Sequence, residues 1–208
     1  MEKNNIIYSM MMNVLSHMQE NPESVTDEER SFLIKIYSAL CKALEFSEHS
    51  AWQVDWCVEK WHSMQEKLSG VKPYEVVNAG QNVILDAGAT EMLKLICGTG
   101  GTAFNQANAK IYVGTDTTPE NASQTGVIAS GGNKAFANID SGYPQVSGRT
   151  AVFRATFGED SANFAWNEAS ITNGSGVGSV AMNRKVSTMG TKSNGTWTMQ
   201  ITISLISA

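Results

Sequence analysis

Gly195-Thr196-Trp197-Thr198-Met199-Gln200-Ile201-Thr202-Ile203 puts an apolar side chain on every second residue, the spacing of a strand with one face on a core and the other in water. Upstream, Val152-Phe153-Arg154-Ala155-Thr156-Phe157, Phe164-Ala165-Trp166-Asn167-Glu168 and Met182-Asn183-Arg184-Lys185 continue the pattern. Candidate strands fall near residues 108–113, 125–130, 134–139, 149–157, 161–172, 178–188 and 196–206, separated by Gly, Asn, Asp and Ser turns. Many short strands at such spacing predict an antiparallel sandwich or barrel.

Composition divides the 208 residues into two zones. Before Lys72 the only glycine is Gly70, and His17, His49 and His62 all lie there, whereas glycine, threonine and asparagine dominate beyond it. The expected domains are therefore a helical one over 1–72 and a β-sandwich over 73–208, the latter with one short helix near 87–97. Net charge is −5, and no run of Lys and Arg forms a phosphate-tracking surface, so nucleic acid is not an expected partner. No apolar run is long enough to cross a bilayer, so no membrane partner is expected either. Residues 6–15 are interrupted by Ser9 and Asn13 and lack a small-x-small cleavage site, so they read as an amphipathic helix rather than a signal peptide.

Three helices are expected in the first zone. Ile6, Ile7, Met10, Met11, Val14, Leu15 and Met18 share one helical face, ended by Pro22. Thr26 with Glu29 forms a capping-box pattern before a second helix with Phe32, Leu33, Ile36, Tyr37, Leu40 and Leu44 buried. Ser50 with Gln53 is a weaker version before a third, whose face would be Val54, Val58, Trp61, Met64 and Leu68. Trp52 and Trp56 point away from that face on a helical projection. They either dock a partner or pack on the β domain of the same chain. Ile7, Met11, Leu15, Met18, Trp52 and Trp56 are accordingly the candidate interface residues. In the second zone, Asp86 would cap a helix over 87–97 that stops at Gly98.

Chemistry-bearing patterns are few. In Gly98-Thr-Gly-Gly-Thr102 the glycines follow a helix instead of preceding one, and no Lys-Ser/Thr ending is present, so this reads as a loop and not a phosphate cradle. Asp55 and Glu59 fit a solvated acidic stripe, and Asp116 fits a turn in which its carboxylate accepts backbone hydrogen bonds. The histidines all lie outside the β zone, which disfavours a nucleophile–histidine–acid triad there. Asp140, Glu159, Asp160 and Glu168 could supply paired carboxylates, but nothing marks any two as a pair. Glu168 is expected to be structural, accepting from backbone or Arg184, and Trp166 and Trp197 are expected in the core rather than stacked on a sugar. Cys41, Cys57 and Cys97 read as buried reduced thiols. No catalytic residue, cofactor or metal is expected, and the chain reads as a non-enzyme.

The order of these segments, with the turn Ile111-Tyr112-Val113-Gly114-Thr115-Asp116-Thr117-Thr118-Pro119 and the strand around Glu168, resembles the collar-type β domain of structural proteins of tailed bacteriophages. The resemblance covers roughly residues 78–206. It implies a virion structural protein whose antiparallel jelly-roll or collar-like β-sandwich is displayed on the particle exterior while a second element fixes it there; with the N-terminal three-helix segment read from periodicity as that docking element, the expected class is α+β. Fibre members of that family continue into a shaft and tip, whereas this sequence stops at Ala208 soon after the final strand, so a head-decoration, head-fibre or collar role is expected over a full-length fibre. Its implied partners are capsid, portal, collar or tail proteins and further copies of itself, a trimer by kinship with fibres. The implied location is the virion, after synthesis in the host cytoplasm. A glycan-binding adhesion module is the alternative, for which Trp166 or Trp197 would stand exposed beside polar loops.

Overall fold

In a computed structural model of the chain, which describes Lys35 and residues 51–80 and 82–206, ten strands form two five-stranded sheets. The first sheet has the order β2 (Glu75–Gly80), β1 (Ala51–Trp61), β10 (Thr196–Ile206), β7 (Thr150–Phe157), β6 (Gln145–Ser147). The second runs β3 (Val83–Ile84), β9 (Asn183–Thr191), β8 (Ala165–Thr172), β4 (Lys110–Gly114), β5 (Lys134–Asn138). Residues Gln53–Ser204 make one compact unit. Two of the four edge strands, β3 and β6, are only two and three residues long, which limits the open hydrogen-bonding edge available to another chain.

The core lies between the sheets and follows from strand alternation. Phe153, Ala155 and Phe157 on β7 and Trp197, Met199, Ile201 and Ile203 on β10 face inward, while the antiparallel β7–β10 register runs unbroken from Trp197 opposite Phe157 to Ser204 opposite Thr150. From the other sheet come Ile111 and Val113 of β4 and Trp166, Ala169 and Ile171 of β8. Trp166 meets Trp197 and Phe157 edge-on, at ring-centroid distances of 4.9 and 4.7 Å, a favoured arrangement of aromatic quadrupoles. On β8 the inward positions change parity, from Trp166 to Ala169 and Ile171, because a register shift against β9 lies between Trp166 and Glu168. Glu168, Ser170 and Thr172 are thereby placed on the outer face of the second sheet.

The α+β expectation is corrected at the third of its three N-terminal helices. Residues 51–61 are a strand that takes part in the first sheet, and helix begins only at α1 (Met64–Leu68). Val54 and Val58 suit either period, but Val54, Trp56 and Val58 are all buried, an alternation of two residues that β-branched and aromatic side chains support on a pleated surface. The working N-terminal cap lies further on: Ser63 Oγ accepts from Glu66 N–H at 3.2 Å and Glu66 Oε2 accepts from His62 N–H at 2.9 Å, so the capping pattern is made one strand later than Ser50 and Gln53 suggest. The expected first two helices fall on residues outside those described, apart from Lys35, which is helical. Beyond Lys35, helix among the described residues comprises α1, a single 3-10 turn at Gly131–Asn133 and α2 (Asp86–Cys97), which ends on Gly98 in the left-handed region as expected. No helix there is long and apolar enough to cross a membrane.

Trp56 belongs to the core at 1% exposure, whereas Trp52 is 42% exposed. Trp56→Ala should therefore lower unfolding free energy by about 3–5 kcal/mol, as for other core Trp truncations, and Trp52→Ala by less than about 1 kcal/mol. Urea melts of the two variants check this; equal losses would remove Trp56 from the core.

Candidate functional site

The outer face of the second sheet holds the densest buried polar chemistry in the described chain. Glu168 and Arg184, both fully buried, form a two-pronged ion pair in which Arg184 Nε and Nη2 reach Glu168 Oε2 at 2.9 and 2.8 Å. Glu168 also accepts the N–H groups of Ile128 (3.0 Å) and Ala129 (2.8 Å). Arg184 Nη1 donates to the Thr118 carbonyl and to Gln124 Oε1, each at 2.9 Å, and Nη2 lies 3.3 Å from Asp116 Oδ1. The connection over 115–133 is thus fastened along its length to one buried pair. Gly114 permits the approach, since a Cβ there would stand 2.5 Å from Glu168 Oε1.

This fastening explains why 125–130, expected as a strand, is loop: the amides of Ile128 and Ala129 donate to a carboxylate and not to a neighbouring strand. Asp116 behaves as expected, accepting Thr118 N–H at 2.7 Å. That bond, with the Thr118 side chain and Arg184, holds its carboxyl below the usual range. Glu168 likewise takes the backbone and Arg184 bonds expected of it.

Two further buried charges hold loops. Glu91 on α2 accepts Thr102 N–H at 2.6 Å and Asn173 Nδ2 at 3.1 Å, tying the glycine-rich turn after α2 to the turn after β8. Lys192 donates to the carbonyls of Gly158 and Ser161 at 2.7 and 2.8 Å and to Asn163 Oδ1 at 3.0 Å. Burial pushes its ammonium down to about 8, against the pull of Asp160 and Glu159.

The remaining expected positions scatter. Ile7, Met11, Leu15 and Met18 lie outside the described residues. Trp166 and Trp197 are 0% and 3% exposed, so neither can stack on a sugar. Asp140 is engaged by Thr156 and faces Arg154 and Lys67, while Glu159 accepts Met64 N–H. Asp55 and Glu59 are on β1 and not on a helix. Of the three thiols expected to be buried, Cys41 lies outside the described residues, Cys57 is half-buried, with burial and Glu59 raising its pKa, and Cys97 is exposed. No group of three His, Cys, Asp or Glu among the described residues could hold a metal ion.

Between the 115–133 connection and the turn after β8 lies a cleft of about 200 Å³. Tyr112, Ser170 and Thr172 line it from β4 and β8, with Thr125, Gly126 and Val127 on one side, Ser175 and Ser179 on the other, and Lys134 beside Tyr112. Tyr112 and Ser170 are opposite one another in the β4–β8 register. Sequence reading missed this group, although the parity change after Trp166 is the signal that puts Ser170 outside the core.

The chain matches no family model, no curated protein and no solved structure.

Glu168→Ala would strand Arg184 and two amides, and should cost about 3–5 kcal/mol, as when one partner of a buried pair is removed. Hydrogen exchange should show Ile128 and Ala129 losing protection before β10; unchanged protection would mean that the loop is held by other contacts. For Lys192 the unfolded chain keeps its proton to the ordinary 10.5 and the folded chain only to about 8, so this residue makes stability rise with pH across that window. Lys192→Met should flatten that rise in pH-dependent melts, and an identical slope in both proteins would refute the assignment.

Proposed function

We propose that the chain is a non-enzymatic structural protein of a tailed-bacteriophage particle, of head-decoration, head-fibre or collar type, with its β-sandwich displayed and its N-terminal segment docking on capsid, portal, collar or tail proteins. The observation that carries this reading is the use made of buried charge. Glu168 with Arg184, Glu91 and Lys192 each fix a loop to the sandwich, so the polar interior works as bracing. A braced β unit suits a module that must keep its shape on a particle surface. The resemblance of residues 78–206 to collar-type domains points the same way. Trp52, exposed near the start of β1, and the apolar face of Ile7, Met11, Leu15 and Met18 are the docking and self-association residues in this reading, and a trimer is the state that kinship with fibres implies. The reading also places the chain in the virion after synthesis in the host cytoplasm.

Gradient-purified particles should contain the chain in fixed copy number, and a version lacking residues 1–50 should stay in the soluble fraction. Light scattering of the free protein should show an oligomer whose mass falls in the Met11→Glu, Leu15→Glu double variant. Recovery of the intact chain only outside particles would overturn the proposal.

A further inference from the structure

We propose that Lys192 and Asn163 join through a side-chain amide, an intramolecular cross-link between the end of β9 and the turn that precedes β8. The β8–β9 ladder sets up the encounter. Ala165 is opposite Thr191, and Lys192 N–H donates to the Phe164 carbonyl at 3.0 Å, which brings the two side chains beside one another. Lys192 is 1% exposed, and its Nζ lies 3.0 Å from Asn163 Oδ1. Ala162, directly before Asn163, has φ 55°, a conformation that costs an alanine energy and persists only where surrounding contacts enforce it. Its carbonyl accepts Trp166 Nε1–H at 2.9 Å, so the turn that presents Asn163 is fixed from the core.

The hydrogen bonds around the pair are those an acyl transfer needs. An ammonium has three protons. Those of Lys192 are directed at the carbonyls of Gly158 and Ser161, at 2.7 and 2.8 Å, and at Asn163 Oδ1, with the Glu159 carbonyl more distant at 3.4 Å. Once the proton facing Asn163 is lost, the two nearer carbonyls keep the others and the lone pair faces the Asn163 amide. Burial favours that loss, pushing the ammonium down to about 8 against the pull of Asp160 and Glu159, and a buried amine of lowered pKa is a competent nucleophile. Asn163 Oδ1 also accepts Asn194 N–H at 3.2 Å, so a backbone donor is in place for the oxygen as it gains charge. Asn163 Nδ2 donates to the Glu159 carbonyl at 2.8 Å, which fixes the end of the amide that faces the amine.

The step balances without a co-reactant. Lys192 Nζ, as the free amine, bonds to Asn163 Cγ, the Cγ–Nδ2 bond breaks, and the proton shed by Nζ passes to Nδ2, which departs as ammonia. Asn163 is exposed, so the ammonia has a path to solvent. The cross-link consumes the amine, so the pH-dependent stability conferred by Lys192 belongs to the open form alone.

This inference is independent of the particle reading, because it is tested by intact mass on the purified full-length chain. During incubation at about pH 9, where the Lys192 amine is largely free, a growing fraction should become lighter than the sequence by one ammonia. Formation should be slower at about pH 6. Digestion should release one branched peptide joining Asn163 to Lys192. Lys192→Arg, which keeps the charge and its donors, and Asn163→Ala should both retain the full mass. Three results would overturn the proposal: full mass after prolonged incubation at the higher pH; ammonia loss that persists in Lys192→Arg; or loss that maps instead to a cyclic imide at Asn194-Gly195.

Discussion

The Glu168–Arg184 pair is the constraint on which the outer half of this sandwich depends. Two ions with no solvent exposure are costly to desolvate, and their mutual attraction offsets that cost only when the remaining donors and acceptors are also satisfied. Here the connection over 115–133 provides them: two amides for the carboxylate, and a carbonyl, an amide oxygen and a second carboxylate for the guanidinium. The dependence is mutual. Without the loop the pair would be a solvated couple on a sheet face, and without the pair a long connection with little regular structure would have few fixed partners for its backbone.

The same logic recurs at smaller scale. Glu91 joins the turn after α2 to the turn after β8, and Lys192 gathers the carbonyls of the turn after β7. Each buried charge substitutes for backbone pairing where the chain leaves a sheet, because a buried amide or carbonyl without a partner is penalised. A β-sandwich with irregular connections benefits from this device, since rigidity at its loops is otherwise supplied only by packing. The cleft beside Ser170 is a by-product of the bracing: its two walls are loops held in place by Glu168 and by Glu91 through Asn173.

Apolar alternation in β7 and β10 was legible because it depends on side chains spaced at the period of one element, the stop at Gly98 because a left-handed C-cap favours glycine, and the structural part of Glu168 because a lone charge inside a patterned strand needs bonding partners. Trp52 to Trp61 was not, since Val54, Val58 and Trp61 satisfy a helical spacing while Val54, Trp56 and Val58 satisfy a strand, and local periodicity cannot choose between them. The choice was made by a neighbour: β10 offers a hydrogen-bonding edge and a core face on which Trp56 is worth more buried in a strand than exposed on a helix. The segment over 125–130 was misread for the converse reason, as its amides found a distant carboxylate in place of a strand. The sequence by itself thus determined which segments alternate and that the second zone is a β-sandwich. Only the tertiary structure decided that residues 51–61 join it and that Ser170 and Tyr112 meet in one cleft, because both depend on pairings between residues far apart in the chain, which no local pattern records.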